Sequence, residues 1–563
     1  MKYYYLIQKI LTKNEIFKMY FVFFLMIVNS ILEVISIGAL LPLLSIMMDN
    51  QLNISFMSKF FSVFENFDIK IDIYLIVIFL LSTYIIKYLF TLYFIKEQAK
   101  FILRLKSHLS TRVFGHVLKK KYKFFMDNTS ANLVRNVKQE VEMYVNGFVS
   151  PILSLILAFF MCSFLIIFLL TINFKATTII LVIFSFCYFF ISKFFSNILK
   201  KLGQFRQHHE KFIFKYLLEP LKSITEVKIF KLENYYQEKF FYHNNLLANK
   251  LVSKSLYGAM PKILFEAIIL LITLSLITYF SINDLPLKDL FAQLLIYSVV
   301  VYRLLPSITG IARHEQKIKY ALPAANIIKN FLEDREYSLM QVKENDKFSF
   351  QNILKLQNIK FSYNKKIIFE NLNVKINKKE KICIVGKNGS GKSTLIKIIA
   401  GLIEPDEGSI LIDNIELKKN LGNWMKIVGY VPQEIGLIEG TLKENICLGV
   451  EKEKINKLKL DEAIVKSQLN EFIKKYGLNN NLGEYGQKIS GGEKQKIALA
   501  RTLYRSPEVL LFDEVTSAFD YKSEEQFIHN VKKIFENQTV ILITHNKEHT
   551  KLFDKVLDLD NLD

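Results

Sequence analysis

The eight residues Gly386-Lys-Asn-Gly-Ser-Gly-Lys-Ser393 restrict what this chain can fold into more than any other stretch. They follow the pattern Gly, four residues, Gly-Lys-Ser. Lys381–Val385 before them is apolar and reads as a buried strand; Thr394–Ala400 after them reads as a helix. A strand, a glycine-rich turn and a helix N-terminus gather free backbone N–H groups and the positive end of a helix dipole at one point, which suits a phosphate. Lys387, Asn388, Gly389, Ser390, Gly391, Lys392, Ser393 and Thr394 are therefore candidate nucleotide contacts. Lys392 is placed to reach the β- and γ-phosphates and Ser393 to ligate magnesium.

Four more motifs follow in order. Gln433 ends Val428-Gly-Tyr-Val-Pro-Gln433, and Ile489-Ser-Gly-Gly-Glu-Lys-Gln495 precedes a helical run. Val509-Leu-Leu-Phe-Asp513-Glu514 is an apolar strand ending in two carboxylates, and His545 ends the strand Val540–Thr544. Asp513 can complete a magnesium shell, while Glu514 sits where a base would orient or deprotonate an attacking water. Over roughly 350–563 this set resembles the nucleotide-binding domain of ATP-binding cassette (ABC) transporters. The resemblance implies that Tyr363 stacks on adenine and that Gln433 joins the magnesium and water shell. It also implies that Ser490, Gly491, Gly492 and Glu493 face the ATP of an opposite subunit, and that His545 acts with Glu514 in catalysis. Ile489 and Glu493 stand where Leu and Gln are usual, and Phe519 where Leu is usual. These departures leave the phosphate donors and Glu514 in place, so an ATPase using ATP and Mg²⁺ is expected.

A chain of 563 residues is too long for one domain, and 51% apolar residues with 48 Phe point to a bilayer as solvent for part of it. The composition shifts near residue 310. Six stretches are long and apolar enough to span a membrane, at roughly 19–47, 73–95, 145–170, 176–197, 263–281 and 289–309. The first is longer than a signal-peptide core and lacks a small-residue cleavage site, so it is not read as cleaved. Lys96, Lys100, Arg104, Lys106 and Arg112 open a strongly basic loop between the second and third stretches, whereas the loop between the first and second has only Lys59 and Lys70. That asymmetry puts both termini and the ATPase in the cytoplasm of an inner-membrane, multi-pass protein. The net charge of +21 is then accounted for by anionic lipid, with no nucleic-acid partner expected. Four cysteines, none in Cys-x-x-Cys spacing, indicate neither a disulfide framework nor a zinc site.

The two inner loops are too long for turns and read as helical extensions that bend at Tyr122–Met126 and Leu217–Phe230. The expected architecture is multidomain: a six-helix transmembrane domain with long intracellular helices (1–330), a linker (331–348) and an α/β P-loop ATPase domain (349–563). This resembles a type IV, exporter-type ABC half-transporter, and Gly483-Glu484-Tyr-Gly486 matches an element that contacts the inner loops in that family. One phosphate loop and one signature per chain imply that a complete site needs two chains, hence a homodimer.

Ionisable groups within apolar spans cost about 2.5–3.5 kcal/mol each on insertion scales, so each is a candidate for function. Lys87, Lys262 and Arg303 fall at comparable depth and form a candidate cavity for a phosphate or pyrophosphate head group; Glu33 lies mid-span and either lines that cavity or neutralises one of them. The bland reading for the lysines is snorkelling to the interface, with Lys262 pairing Glu266. Phe56, Met57, Phe60, Phe61, Phe64 and Phe67 suggest a short amphipathic helix on the outer surface. Ser30–Ser36, Met260–Glu266 and Tyr302–Ser307 are similar to segments of bacterial flippases of lipid-linked oligosaccharides. That resemblance implies ATP-driven export or flipping of a lipid-linked anionic substrate, specifically a polyprenyl-pyrophosphate oligosaccharide. Lys stands for Arg at two cavity positions and Gly310 replaces a basic one. Export of another lipid or of a peptide is the alternative; no peptidase domain is expected before a first span that begins near 19.

Overall fold

The computed structural model describes residues 2–39, 73–172, 174–282, 287–333, 348–363, 366–483, 486–516, 521–544 and 547–561. They form two compact units, residues 1–119 with 128–334, and residues 120–127 with 335–563.

The first unit is helical. A short helix α1 (Lys2–Ile10) leads into α2 (Lys13–Gly38), which starts six residues before the expected span. The cause is local: Thr12 Oγ accepts from the Glu15 N–H while the Glu15 carboxylate accepts from the Thr12 N–H, a capping box that satisfies two otherwise unpaired donors. Next comes α3 (Ile73–Leu118), unbroken over 46 residues. At 1.5 Å per residue that is about 69 Å, against roughly 30 Å of hydrocarbon. The expected second span is thus the first half of a helix that continues well past it.

After α4 (Tyr122–Asp127), residues 130–149 wind through two π-helical turns, Asn136–Glu140 and Val145–Val149, into α5 (Ser150–Ile172). The third stretch therefore begins as a π turn. The remaining helices are α6 (Phe174–Lys222), α7 (Ile224–Ile229), α8 (Glu233–Ile282) and α9 (Leu287–Glu333), and they contain the expected fourth to sixth stretches. Among the described residues, Lys13–Gly38, Tyr74–Leu118 and Ser130–Leu170 are long and apolar enough to cross a membrane. The suggested amphipathic helix at 56–67 lies outside the described residues.

Where α6 passes α9, Gly203 permits the contact, because a Cβ there would collide with the Tyr320 carbonyl. Beside it, Arg206 donates to Glu140 (3.0 Å) and to Glu210 (2.7 Å), with Arg206 and Glu140 essentially inaccessible to solvent. Arg135 donates to the Gln207 carbonyl at 2.8 Å and completes the charged core.

The second unit holds two sheets. An antiparallel sheet of order β2-β1-β4-β5 consists of β1 (Ile353–Tyr363), β2 (Lys366–Asn377), β4 (Glu407–Ile412) and β5 (Ile415–Glu416). The other, of order β6-β7-β8-β3-β9, is parallel throughout: β3 (Lys381–Val385), β6 (Val428–Val431), β7 (Val509–Asp513), β8 (Thr539–Ile543) and β9 (Lys555–Asp558). β3, β7 and β8 are buried at every position, as central parallel strands covered on both faces must be. α4 also belongs to this unit: Tyr122 packs against the core that holds Trp424 and Leu395, and Lys121 Nζ lies 2.7 Å from Glu404.

Removing one partner of a buried ion pair strands the other charge, at a cost of about 3–5 kcal/mol, whereas an apolar pair of similar volume is often neutral. Arg206→Met should therefore lower the melting temperature of the detergent-purified protein by several degrees. Arg206→Met with Glu140→Leu should recover only part of it, because Glu210 still lacks its 2.7 Å partner. A single variant that melts like the parent would show that the network does not hold α6 in place.

Candidate nucleotide-binding site

In an open parallel sheet, ligands bind beyond the carboxyl ends of the strands. The order β6-β7-β8-β3 sets Gln433 after β6, Glu514 after β7, Thr544 after β8 and the glycine loop after β3 side by side at that edge. His545, Glu484 and Phe519 lie outside the described residues.

The loop leads into α10 (Lys392–Ile399), whose N-cap is Gly391 at φ +97°. Gly386 (φ +149°) and Gly389 (φ +85°) also occupy glycine-favouring conformations. At Gly391 a Cβ would lie 2.6 Å from Ile368 Cγ2 and 2.8 Å from Phe369 Cζ, so only glycine fits against β2. Lys392 Nζ donates to the carbonyls of Gly386 (2.8 Å) and Lys387 (3.0 Å), which holds the ammonium over the loop. Among the described residues, Ser390 Oγ is buried without a hydrogen-bond partner. Ser393 Oγ donates to Asp513 Oδ1 at 2.8 Å across the sheet edge. A hydroxyl, a carboxylate, an unsatisfied buried hydroxyl and an N-terminal helix turn fit a magnesium–phosphate group by donor chemistry. Asn388 and Thr394 flank these donors in the chain.

Asp513 is buried, and burial raises its carboxyl above the usual range against the opposing hydrogen bonds from Ser393 and Tyr430. The Tyr430 hydroxyl donates to Asp513 Oδ2 at 3.1 Å. Tyr430 is a site residue that the motifs did not single out. Its position follows from the β6–β7 register, Tyr430 opposite Leu511, which only the fold supplies. Gln433 Nε2 donates to Glu514 Oε2 at 2.6 Å, so the amide orients the candidate base. Glu514 itself sits at φ +54°, a conformation uncommon for a non-glycine residue. A second unforeseen anchor is Asp560, which accepts from the Lys387 N–H at 2.8 Å.

Tyr363 is half-buried at the end of β1 and meets Phe361 edge-on at 4.8 Å. Ser490 caps α11 (Gly491–Tyr504) through a capping box with Glu493, which leaves the first turn of that helix, Gly491 and Gly492, N-terminal and glycine-lined. Glu493 is thereby occupied as a capping carboxylate.

The membrane-unit candidates separate. Lys87, expected as a cavity cation, is buried and ion-paired to Glu33 at 2.7 Å. Next to this pair, Thr91 Oγ1 donates to Asn29 Oδ1 at 2.9 Å. Lys262 is exposed and lies 3.6 Å from Glu266 one turn on. Arg303 lies in α9, and its side chain is outside the described residues. Glu33 thus takes the neutralising role of the two open to it, because a lone ammonium in hydrocarbon costs more than a matched pair.

Comparison with known proteins agrees with this geometry. Residues 19–304 match the family described as ABC transporter transmembrane region, and residues 369–517 match the ABC transporter family. The chain belongs to the ABC transporters, as a membrane protein with a helical transmembrane region followed by an α/β ATPase domain. A solved structure of a bacterial Atm1-family ABC exporter with ATP bound superposes with a TM-score of 0.77 at 19% identity, covering 95% of this chain and 93% of that one. The leukotoxin export ATP-binding protein LtxB of Aggregatibacter actinomycetemcomitans is 38% identical over 186 residues, 32% of this chain and 26% of that protein. The leukotoxin translocation ATP-binding protein LktB of Mannheimia haemolytica is 34% identical over 182 residues, again 32% of this chain and 26% of that one. The chain spans about a quarter of the length of the curated relatives it matches.

A side chain forced into the left-handed region costs about 1–2 kcal/mol before any collision is counted. Gly391→Ala should therefore weaken binding of a fluorescent ATP analogue by at least about tenfold while the protein stays folded. Parent-like affinity would show that the loop tolerates a Cβ and that its shape is not set by Gly391.

Proposed function

We propose that two copies of this chain form an ATP-driven exporter of the cell inner membrane, with the ATPase domains and both termini in the cytoplasm. The observation that carries the reading is the juxtaposition at the sheet edge of Ser393 with Asp513 and of Gln433 with Glu514. Bound Mg²⁺ supplies positive charge across the terminal phosphates. On this reading Lys392 and the N–H groups from Lys387 to Thr394 hold those phosphates, while Tyr363 stacks on the base. Gln433 keeps the Glu514 carboxylate in one orientation, and Glu514 takes a proton from the water that attacks the γ-phosphate, with His545 beside it. Ser490, Gly491 and Gly492 of one protomer close on the nucleotide of its partner, so each site is shared by two chains.

For the cargo we propose a lipid-linked anionic molecule, specifically a polyprenyl-pyrophosphate oligosaccharide. Support comes from the three membrane segments similar to oligosaccharide flippases and from cations at a common depth. Lys262, which is exposed, would make the first contact together with Arg303, and Lys87 would join only by exchanging Glu33 for the anion. A second reading, a polypeptide cargo, draws on the relatives described as leukotoxin export proteins and on the carboxylates that already match both lysines.

One set of reconstitutions tests both levels. In proteoliposomes, ATP should drive movement of a polyprenyl-pyrophosphate oligosaccharide but not of an unstructured peptide, and Lys262→Gln with Arg303→Gln should suppress it while leaving basal ATPase activity. Peptide movement in its place would overturn the cargo. Glu514→Gln should cut ATP turnover by about 100-fold or more and retain nucleotide; near-parent turnover would remove Glu514 from the role of base.

A further inference from the structure

Between α2 and α3 lies a cavity of about 150 Å³, room for a cluster of waters or a small polar group. That suits a phosphodiester group and is too small for a whole lipid. Its walls are apolar, with Val22, Phe101 and Leu105 buried at its base. Its rim is charged: Lys18 and Glu15 from α2, and Glu97, Lys100, Arg104 and His108 from α3. Lys100, Arg104 and His108 recur at four-residue spacing, so they stack on one face of α3 and converge on this opening.

The partners of these groups decide what the cavity can hold. Glu15 is already engaged by the Thr12 N–H at 2.7 Å and by Arg112 at 3.5 Å, with His108 at 3.9 Å. Glu97 is paired with Lys100 at 3.3 Å. Among the described residues, Lys18 and Arg104 line the same opening with no ion-pair partner within 4.0 Å. The cavity thus carries two uncommitted cations, while its two carboxylates are satisfied.

Its depth also matters. The apolar run of α2 starts at Met19, next to Lys18, and that of α3 ends at Ile95, just before Lys96 and Glu97. The cavity therefore opens just outside one membrane–water boundary: Lys18 borders the apolar run, and Arg104 lies nine residues, about 13 Å of helix, past Ile95, so its long side chain snorkels back toward the lipid phosphates. Phe21 and Phe24 of α2 are exposed on its membrane side, as an acyl chain would require. Basic pockets between membrane helices at this level recognise anionic head groups.

We propose that this cavity binds the phosphate of an anionic phospholipid through Lys18 and Arg104, with the acyl chains lying along the exposed phenylalanines of α2. The inference rests on the chain spanning a bilayer with its basic loops inward. It is independent of the transported cargo and of ATP turnover, and its readout is binding alone.

The test is native mass spectrometry of the detergent-purified full chain titrated with phosphatidylglycerol, with phosphatidylcholine and with inorganic phosphate. The parent should bind phosphatidylglycerol about tenfold more tightly than phosphatidylcholine. Lys18→Gln with Arg104→Gln should erase that preference, whereas Lys18→Arg with Arg104→Lys, and the distant pair Lys211→Gln with Lys222→Gln, should keep it. Should the double variant not fold, the single variants serve, each with an expected loss of about threefold. The proposal is overturned if the Gln variants bind phosphatidylglycerol like the parent, or if both lipids bind equally. It is also overturned if inorganic phosphate at equal concentration displaces the lipid, since the site would then select a free anion.

Discussion

The nucleotide site depends on one constraint, the parallel pairing of β6, β7, β8 and β3 in that order. Ser393 and Asp513 are 120 residues apart in the chain, and Gln433 and Glu514 are 81 apart. Adjacent strands in register bring each pair within hydrogen-bond distance, because all four strands end at the same edge. Every position of β3, β7 and β8 is buried, so a slipped register would have to break backbone pairing in a dry core. The geometry at Glu514 is therefore inherited from the sheet, and its positive φ is held by the strand that precedes it and by Gln433.

What the sequence made legible follows from this. The glycine loop, its flanking strand and helix, and the two carboxylates are contiguous motifs whose local chemistry points one way. Tyr430 was not legible. It lies inside a motif already noticed, but its hydroxyl meets Asp513 only because β6 is the neighbour of β7, and strand order is not written locally. Asp560 is a similar case, a residue near the end of the chain that meets Lys387 because β9 runs beside β3. The extension of α2 back to Lys13 was readable in principle, since Thr12 and Glu15 stand at capping-box spacing, but hydropathy alone ignores polar first turns.

The membrane unit shows the opposite limit. Lys87 and Glu33 both stand out as expensive groups in apolar helices, and counting charges by depth makes the lysine a ligand. Their 2.7 Å pairing depends on how α2 faces α3, which depth does not encode. The same two helices that neutralise each other there leave Lys18 and Arg104 unmatched nearer the water boundary. Between these two helices, Lys87 is matched by Glu33 within the apolar span, whereas among the described residues Lys18 and Arg104 at its edge have no ion-pair partner and can meet solvent or lipid phosphate.

Each chain carries one glycine loop and one Ser490 signature, and the proposed ATPase site takes one of each from two protomers. The direct measurement mixes two inactive chains, Lys392→Ala and Ser490→Arg, at equal amounts and follows ATP turnover. Mixed dimers pair the intact loop of one chain with the intact signature of its partner at a single site. Turnover should reappear on mixing and be absent from either variant alone. Turnover that stays absent after verified mixed dimerisation, or full activity in a monomeric parent chain, would contradict it.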